Sequence, residues 1–316
     1  MGRSIDPGTV LITGASSGIG RCAAAAFGAR GWKVGLVARG QAGLDSIREE
    51  LLAAGVDAAS AVADVTDSAA LEAAAAALES ALGPIAVWVN GAGNGVYGRF
   101  QDVSEAEFRR VTDVTYMGTV NGVRIALRRM VPRDRGTIIN LCSAIAFGGI
   151  PFLSSYSGAK HAVRGFTDSV RHELRNDGSR VRLTTIYPPA VNTPFFSHAP
   201  SHMPGSPRPA KPVYQPEIVA DAILLAATRP FREIRVSGVT CLFALAMRLI
   251  PGIVNLAIAR LGMDGQLTQD VDAKRMHEPT LFAPSDRASG AHGTFGPESR
   301  RFSLQMWLLR HGSFRR

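Results

Sequence analysis

The sequence predicts an α/β fold: a doubly wound parallel sheet of about seven strands in three layers, with a C-terminal extension. Three observations predict it. Short β-branched apolar runs alternate with longer helix-like stretches from Val10 to about Val236, a glycine-rich turn joins the first run to the first stretch, and Gly or Pro punctuates the junctions. The chain has 316 residues, 46% hydrophobic and 19% charged. That is enough apolar material for one large core and excludes a disordered, collagen-like or coiled-coil protein; two equal domains are disfavoured.

Val10-Leu11-Ile12 is the first strand, and an Ala-rich helix from Arg21 to Arg30 follows the turn and stops at Gly31. The unit repeats with Trp32–Val37 as strand, Leu44–Ala54 as helix closed by Gly55, Ala58–Ala63 as strand, and Ser68–Leu82 as helix closed by Gly83. Ile85–Val89 is the next buried strand. Ser104, with Glu107 three residues on, caps a long helix to about Met130, and Gly136–Leu141 is again strand. Ser154–Arg175 reads as helix, Val181–Ile186 as strand, Pro216–Thr228 as helix with Pro in its first turn, and Glu233–Val236 as the last strand. Right-handed crossovers then put helices on both faces and any ligand at the carboxyl ends of the strands.

Two regions break this rhythm. Seven prolines follow Thr193 up to Pro216, so that stretch is expected as a long irregular loop over the ligand site. Val236–Leu261 is apolar but interrupted by Arg248, Pro251, Gly252 and Arg260, short of the uncharged run of about 20 residues that a membrane span needs. Core or oligomer-interface helices are the first reading of it, and a peripheral membrane contact the second.

Cys22, Cys142 and Cys241 lie far apart with no metal or redox spacing, which fits a reducing, cytosolic setting. The first seven residues show no apolar targeting segment, and Asp6 stands where a myristoylation signal wants Ser or Thr. Net charge is +9, and from Lys274 to the end eight basic residues face three acidic ones. Without interleaved stacking aromatics this basic tail does not argue for nucleic acid, and a solvated surface is the simpler reading. Gly290–Gly296 looks like a flexible, turn-rich part of that tail.

Thr13-Gly14-Ala15-Ser16-Ser17-Gly18-Ile19-Gly20 lies where the first strand meets the first helix. Glycines there let backbone N–H groups approach a pyrophosphate while the helix N-terminus adds its positive end. Such turns also serve close packing, but this position favours a phosphate cradle. After the second strand comes Ala38-Arg39 where an acidic residue would accept from a ribose 2′-hydroxyl. A guanidinium suits a 2′-phosphate instead, so NADP(H) is expected over NAD(H); the plainer reading of Arg39 is a solvated helix-opening residue.

Tyr156 and Lys160, four apart, share one helix face, and Ser143 stands thirteen residues before Tyr156 at a strand end. A free tyrosine titrates near 10, so ionising it at neutrality takes roughly three units, about 4 kcal/mol. A neighbouring ammonium and an oxidised nicotinamide are the expected sources. His198 and His202 are four apart but flank Pro200 in a Pro-rich loop, which disfavours a metal site. Cys142 reads as a buried strand residue, and His161 as facing away from the site.

On these residues the chain resembles the short-chain dehydrogenase/reductase family over about Val10 to Val236. Thr13–Gly20 is similar to its TGxxxGxG loop, Asp64-Val65 to its adenine-side pair, Asn90-Gly91-Ala92-Gly93 to its NNAG stretch, and Pro188–Thr193 to its PGxVxT segment. The resemblance implies a Rossmann-like fold with Ser143, Tyr156 and Lys160 as catalytic residues. It implies a cofactor held by Gly14, Ser16, Ser17, Gly18, Ile19 and Gly20, by Arg39, Asp64, Val65, Asn90, Ala92 and Gly93, and by Tyr156, Lys160, Pro188, Val191 and Thr193. Three positions depart from the pattern: Gly91 for the second Asn, Pro189 for a Gly, and Thr115 where an Asn usually orders a relay water.

The implied activity is NADP-dependent hydride exchange with an alcohol or ketone, hydrophobic if the loop and the apolar segment line the site. Tyr156 would be the acid or base, Lys160 its pKa-lowering partner and ribose anchor, Ser143 the carbonyl polariser, and Thr115 the relay residue. A dinucleotide-binding sensor or scaffold without turnover is the alternative. The expected organisation is 1–236 for binding and catalysis, 237–273 as an apolar helical extension and 274–316 as a basic tail. The family also implies a homodimer or homotetramer.

Overall fold

The computed structural model describes residues 7–262, 264–269 and 277–312. Asp6, the composition boundary at 273/274 and four tail cations (Lys274, Arg275, Arg315, Arg316) lie outside the described residues.

Seven strands form one parallel sheet: β1 (Thr9–Thr13), β2 (Lys33–Ala38), β3 (Ala58–Val62), β4 (Ile85–Asn90), β5 (Thr137–Leu141), β6 (Arg182–Tyr187) and β7 (Glu233–Arg235). Their order is β3-β2-β1-β4-β5-β6-β7, every pair parallel. Strand side chains alternate between two buried layers, as a pleat with helices on both sides requires. Val10 and Ile12 pack with α1 (Gly18–Gly28), α2 (Gln41–Ala53) and α8 (Pro216–Thr228), whereas Leu11 and Trp88 pack on the other side with α3 (Ser68–Leu82) and α5 (Gly118–Met130). The chain leaves β1 and β4 in opposite directions, and that switch opens a crevice at their carboxyl ends.

Local chemistry sets the helix limits. The Asp67 carboxylate accepts from the Ala69 and Ala70 N–H groups to start α3, and Ser104 and Glu107 close a reciprocal capping box at the start of α4 (Glu105–Thr112). The single helix expected from Ser104 to Met130 instead carries a π turn at Asp113–Met117, where Gly118 N–H reaches back five residues to Asp113 O. Gly118 packs against Val65, and a Cβ there would lie 2.4 Å from Val65 Cγ2, so the helix widens as it presses on the end of the sheet.

The proline-rich stretch is not wholly irregular. It holds α7 (Phe195–His198) and two short ladders, Ser206–Pro207 against Leu267–Thr268 and Val213–Tyr214 against Ser299–Arg300. Proline cannot donate to a ladder, which limits each to two residues. After β7, α9 (Gly238–Leu249) and α10 (Pro251–Leu261) meet at 119° where Pro251 stops the first helix. Among the described residues no single helix is long and apolar enough to cross a membrane. Residues 277–300 then cross the crevice mouth, and α11 (Leu304–His311) docks Met306 beside α8.

Candidate active site

The crevice at the β1/β4 switch holds a cavity of about 510 Å³. Gly14, Ser16, Ser17, Gly18, Ile19 and Gly20 form its floor. Gly14 has φ +69°, and a Cβ there would fall 2.8 Å from the Ala92 backbone. One on Gly20 would fall 2.2 Å from Gly14 O, so the turn folds onto itself and onto the loop after β4 only because both lack side chains. The Thr13 hydroxyl locks these loops by accepting from Gly91 N–H (3.1 Å) while donating to Val89 O (3.3 Å). Ser17 precedes α1 without capping it through its side chain, which suits an anionic ligand at that helix end. The cradle, the cavity size and its two ends therefore fit a dinucleotide.

At the end beside β2 and β3, where the resemblance would put adenosine, Arg39, Asp64 and Val65 line the cavity. Burial opposes ionisation of Asp64, but hydrogen bonds from Arg110 and Thr66 outweigh it and hold the carboxyl below its usual range. Arg39 lies 3.9 Å from Asp64 and donates to the carbonyls of Thr280 (2.7 Å), Leu281 (3.3 Å) and Phe282 (3.4 Å). It is thus neither a freely solvated residue nor an unoccupied cation.

At the other end Ser143, Tyr156 and Lys160 line one wall. Ser143 follows β5 and caps a short turn, its oxygen accepting from Ile145 N–H at 3.3 Å, and its hydroxyl bonds the Tyr156 phenol. Tyr156 and Lys160 come from the first turns of α6 (Ser154–Asn176), with Nζ 5.5 Å from the phenol ring centroid. Lys160 is 4% exposed and donates to Leu141 O at 2.7 Å. Burial pulls its ammonium down to about 8. Burial and the Cys142 thiol push the Tyr156 phenol above its usual value, against a hydrogen bond from Ser143. Desolvation therefore dominates at the phenol, and the lowering by the Lys160 ammonium that the sequence suggested is not among its causes.

Two expected site residues do not line the cavity. Thr115 is fully buried in the π turn, and its hydroxyl accepts from Asn94 N–H (3.2 Å) and donates to Asn94 O (3.1 Å). It stands behind Gly93, where a Cβ would lie 3.7 Å from both its Oγ1 and Lys160 Nζ. Thr115, expected to order a relay water, thus has its hydroxyl bonded to the backbone of the 91–95 loop behind the cavity. Asn90 likewise turns into the core, donating to Asn140 Oδ1 and accepting from Trp88 Nε1, both at 2.8 Å. Period two on β4 puts Asn90 on the face of Trp88, a signal available in the sequence. Ala92, Gly93, Pro188, Val191 and Thr193 do line the cavity.

Other residues follow simpler logic. Cys142 is buried, its thiol pushed up to about 11 by desolvation, and it bonds Lys160 O. His202 pairs with Glu107 at 2.9 Å, His198 meets Ser289 at 3.0 Å, and His161 bonds Ser157 O. Among the described residues no group of three His, Cys, Asp or Glu could hold a metal. Sequence reasoning missed Asn94, the aromatic wall of Tyr97, Phe195, Phe196 and Phe243 near Tyr156, and the 280–289 stretch at the other end of the cavity. Phe243 lies in the apolar segment, and Phe195 and Phe196 in the proline-rich stretch expected over the site; the others carried no spacing signal.

Residues 8–203 match the family model for short chain dehydrogenases. An uncharacterized oxidoreductase of Bacillus subtilis, YxnA, is 33% identical over 285 residues, covering 90% of this chain and 79% of its own. Among solved structures, an alcohol dehydrogenase from Thermococcus sibiricus complexed with 5-hydroxy-NADP superposes with TM-score 0.64 at 26% identity, over 73% of this chain and 96% of its own. An actinorhodin polyketide ketoreductase with NADPH does so with TM-score 0.65 at 27% identity, over 74% and 97%.

Proposed function

The chain belongs to the short-chain dehydrogenase/reductase family and is an NAD(P)-dependent oxidoreductase, and from that premise we propose that it uses NADP(H) to interconvert a hydrophobic ketone and its alcohol. The observation that carries the proposal is the convergence of Ser143, Tyr156 and Lys160 on one wall of a cavity whose far end is the glycine turn. A bound nicotinamide supplies the hydride or accepts it.

The chain's own groups do the rest. Ser143, beside the Tyr156 phenol, donates its hydroxyl proton to the substrate oxygen and polarises the carbonyl. Tyr156, protonated at neutral pH, donates its proton to that oxygen as charge develops. Lys160 takes up the nicotinamide-side ribose through its remaining ammonium protons and, once that end is filled, favours the phenolate left behind. Thr115 acts as a positioning residue through the Asn94 loop.

NADP(H) preference is supported by the absence of an acid at Ala38, where one would accept from a ribose 2′-hydroxyl, and by the NADP ligands of the two structural relatives. A hydrophobic substrate is supported by Leu153, Phe195, Phe196 and Phe243 around the reacting end. The exposed faces of α9 and α10, with Leu242, Leu249 and Ile253 about two-thirds exposed, support a peripheral membrane contact. A homodimer or homotetramer remains the family-based reading, checked by light scattering. NADPH consumption against a panel of hydrophobic ketones tests the main proposal: turnover supports it, and cofactor binding without turnover of any ketone replaces it with a dinucleotide sensor.

A further inference from the structure

The C-terminal segment from His277 to Gly293 crosses the open side of the crevice and is held along its length. Glu278 and Thr280 donate backbone N–H groups to Ser197 O and His198 O, both at 2.9 Å, which ties the segment to α7. Leu281, 2% exposed, sinks beside Val96 and Val111. Its carbonyl accepts from Arg39 at 3.3 Å and from Arg110 at 3.2 Å. Pro284 and Ser285 then press on Gly40, where a Cβ would meet them at 3.3 and 3.4 Å. Gly290 O accepts from Gly18 N–H in the glycine turn at 3.0 Å, and Gly293 N–H donates to Asn192 O at 3.3 Å.

Between Ser285 and Gly290 the segment therefore travels from the adenosine end of the crevice, at Arg39 and Gly40, to the pyrophosphate end at Gly18. Arg287 sits midway and lines the cavity. Its backbone N–H is fixed by the Ser285 hydroxyl at 3.0 Å, and that hydroxyl is held in turn by Glu278 at 2.8 Å. Among the described residues no carboxylate, carbonyl or hydroxyl takes the Arg287 guanidinium, its neighbour Asp286 included. Arg39 is the opposite case, with its donors aimed at three carbonyls and a carboxylate 3.9 Å away. A guanidinium whose fork is committed to carbonyls is poorly placed for bidentate phosphate pairing, whereas an unpaired one beside the same cavity is well placed.

We infer that residues 277–293 form a strap that completes the cofactor site, and that Arg287 is its phosphate-binding residue. The inference rests on the reading that the crevice takes a dinucleotide. It assigns to the tail a phosphate contact of the kind the sequence gave to Arg39.

The test is equilibrium binding of NADP⁺ and NAD⁺ to the full chain carrying Arg287→Ala, Arg287→Lys or no substitution. Arg287→Ala should weaken NADP⁺ binding at least tenfold, and Arg287→Lys should restore part of it. A loss confined to NADP⁺ identifies the 2′-phosphate as partner; an equal loss for NAD⁺ identifies the pyrophosphate. NADP⁺ affinity within twofold of wild type in Arg287→Ala overturns the inference and leaves the cofactor reading standing, whereas a wild-type chain that binds neither dinucleotide overturns both. Tryptic cleavage after Arg287 gives an activity-free readout: NADP⁺ should slow it at least fivefold, and an unchanged rate overturns the strap.

Discussion

The Lys160 ammonium lies 5.5 Å from the centroid of the Tyr156 ring, yet its short hydrogen bond, 2.7 Å, goes to the carbonyl of Leu141. That arrangement keeps a cation in a nearly dry place, and burial brings its pKa to about 8. In an unfolded chain a lysine titrates near 10.4. Between those two values the unfolded state holds a proton that the native state has released, so stability rises with pH there, and the burden of the buried charge is fully felt below 8. From pH 7 to pH 10 the wild type should therefore gain roughly 2 kcal/mol of unfolding free energy relative to Lys160→Met. Urea unfolding of both proteins at the two pH values measures this, and parallel pH dependences would show that the lysine is not desolvated.

Tyr156→Phe removes the proton donor and keeps the ring that packs 5.3 Å from Phe195. General acid catalysis contributes on the order of 10²- to 10⁴-fold, so kcat for ketone reduction should fall by about that factor. NADP⁺ affinity should change less than threefold because the glycine turn and the adenosine end are untouched. Steady-state kinetics with parallel binding titrations separate the two; wild-type turnover would remove Tyr156 from the chemistry.

Thr115→Val keeps the volume and deletes the hydroxyl that both accepts from and donates to the Asn94 backbone. Two backbone groups lose their partner in a buried place, a loss of about 1–3 kcal/mol. A lowered melting temperature with a raised KM for NADPH is expected, since the same loop packs behind the cavity. Thr115→Ser should recover most of the stability; failure of Ser to rescue would mean that the methyl group, not the hydroxyl, holds the loop.

How much of this was legible in the sequence depends on what encodes each feature. Helices Ser68–Leu82 and Pro216–Thr228 were readable to both ends because caps and breakers are side-chain events: Asp67 and Gly83 bound one, and Pro216 opens the other. Ser143, Tyr156 and Lys160 were readable because a strand end and a helix face fix their meeting. The π turn was not, since α and π stretches share an apolar pattern over five residues and only the press of Gly118 on Val65 separates them. The strap left almost no mark either. Its anchors are mostly backbone carbonyls and N–H groups, which any sequence supplies, and Leu281 is its one deeply buried apolar side chain.

The bend between α9 and α10 leaves Leu249 66% and Ile253 67% exposed on either side of Pro251, with Arg248 and Arg260 also exposed nearby. Apolar side chains next to unburied cations match the boundary of an anionic bilayer, where the first group enters the acyl region and the second meets headgroups. Phe243, on the same helix, lines the cavity, so the exposed face and the reacting end share one short element. Leu249→Glu with Ile253→Glu should leave the melting temperature nearly unchanged, because neither side chain is packed in the chain. The double variant should lose most flotation with phosphatidylglycerol vesicles and keep turnover of a water-soluble ketone. Equal flotation of variant and wild type, or none by the wild type, would assign this face to something other than lipid.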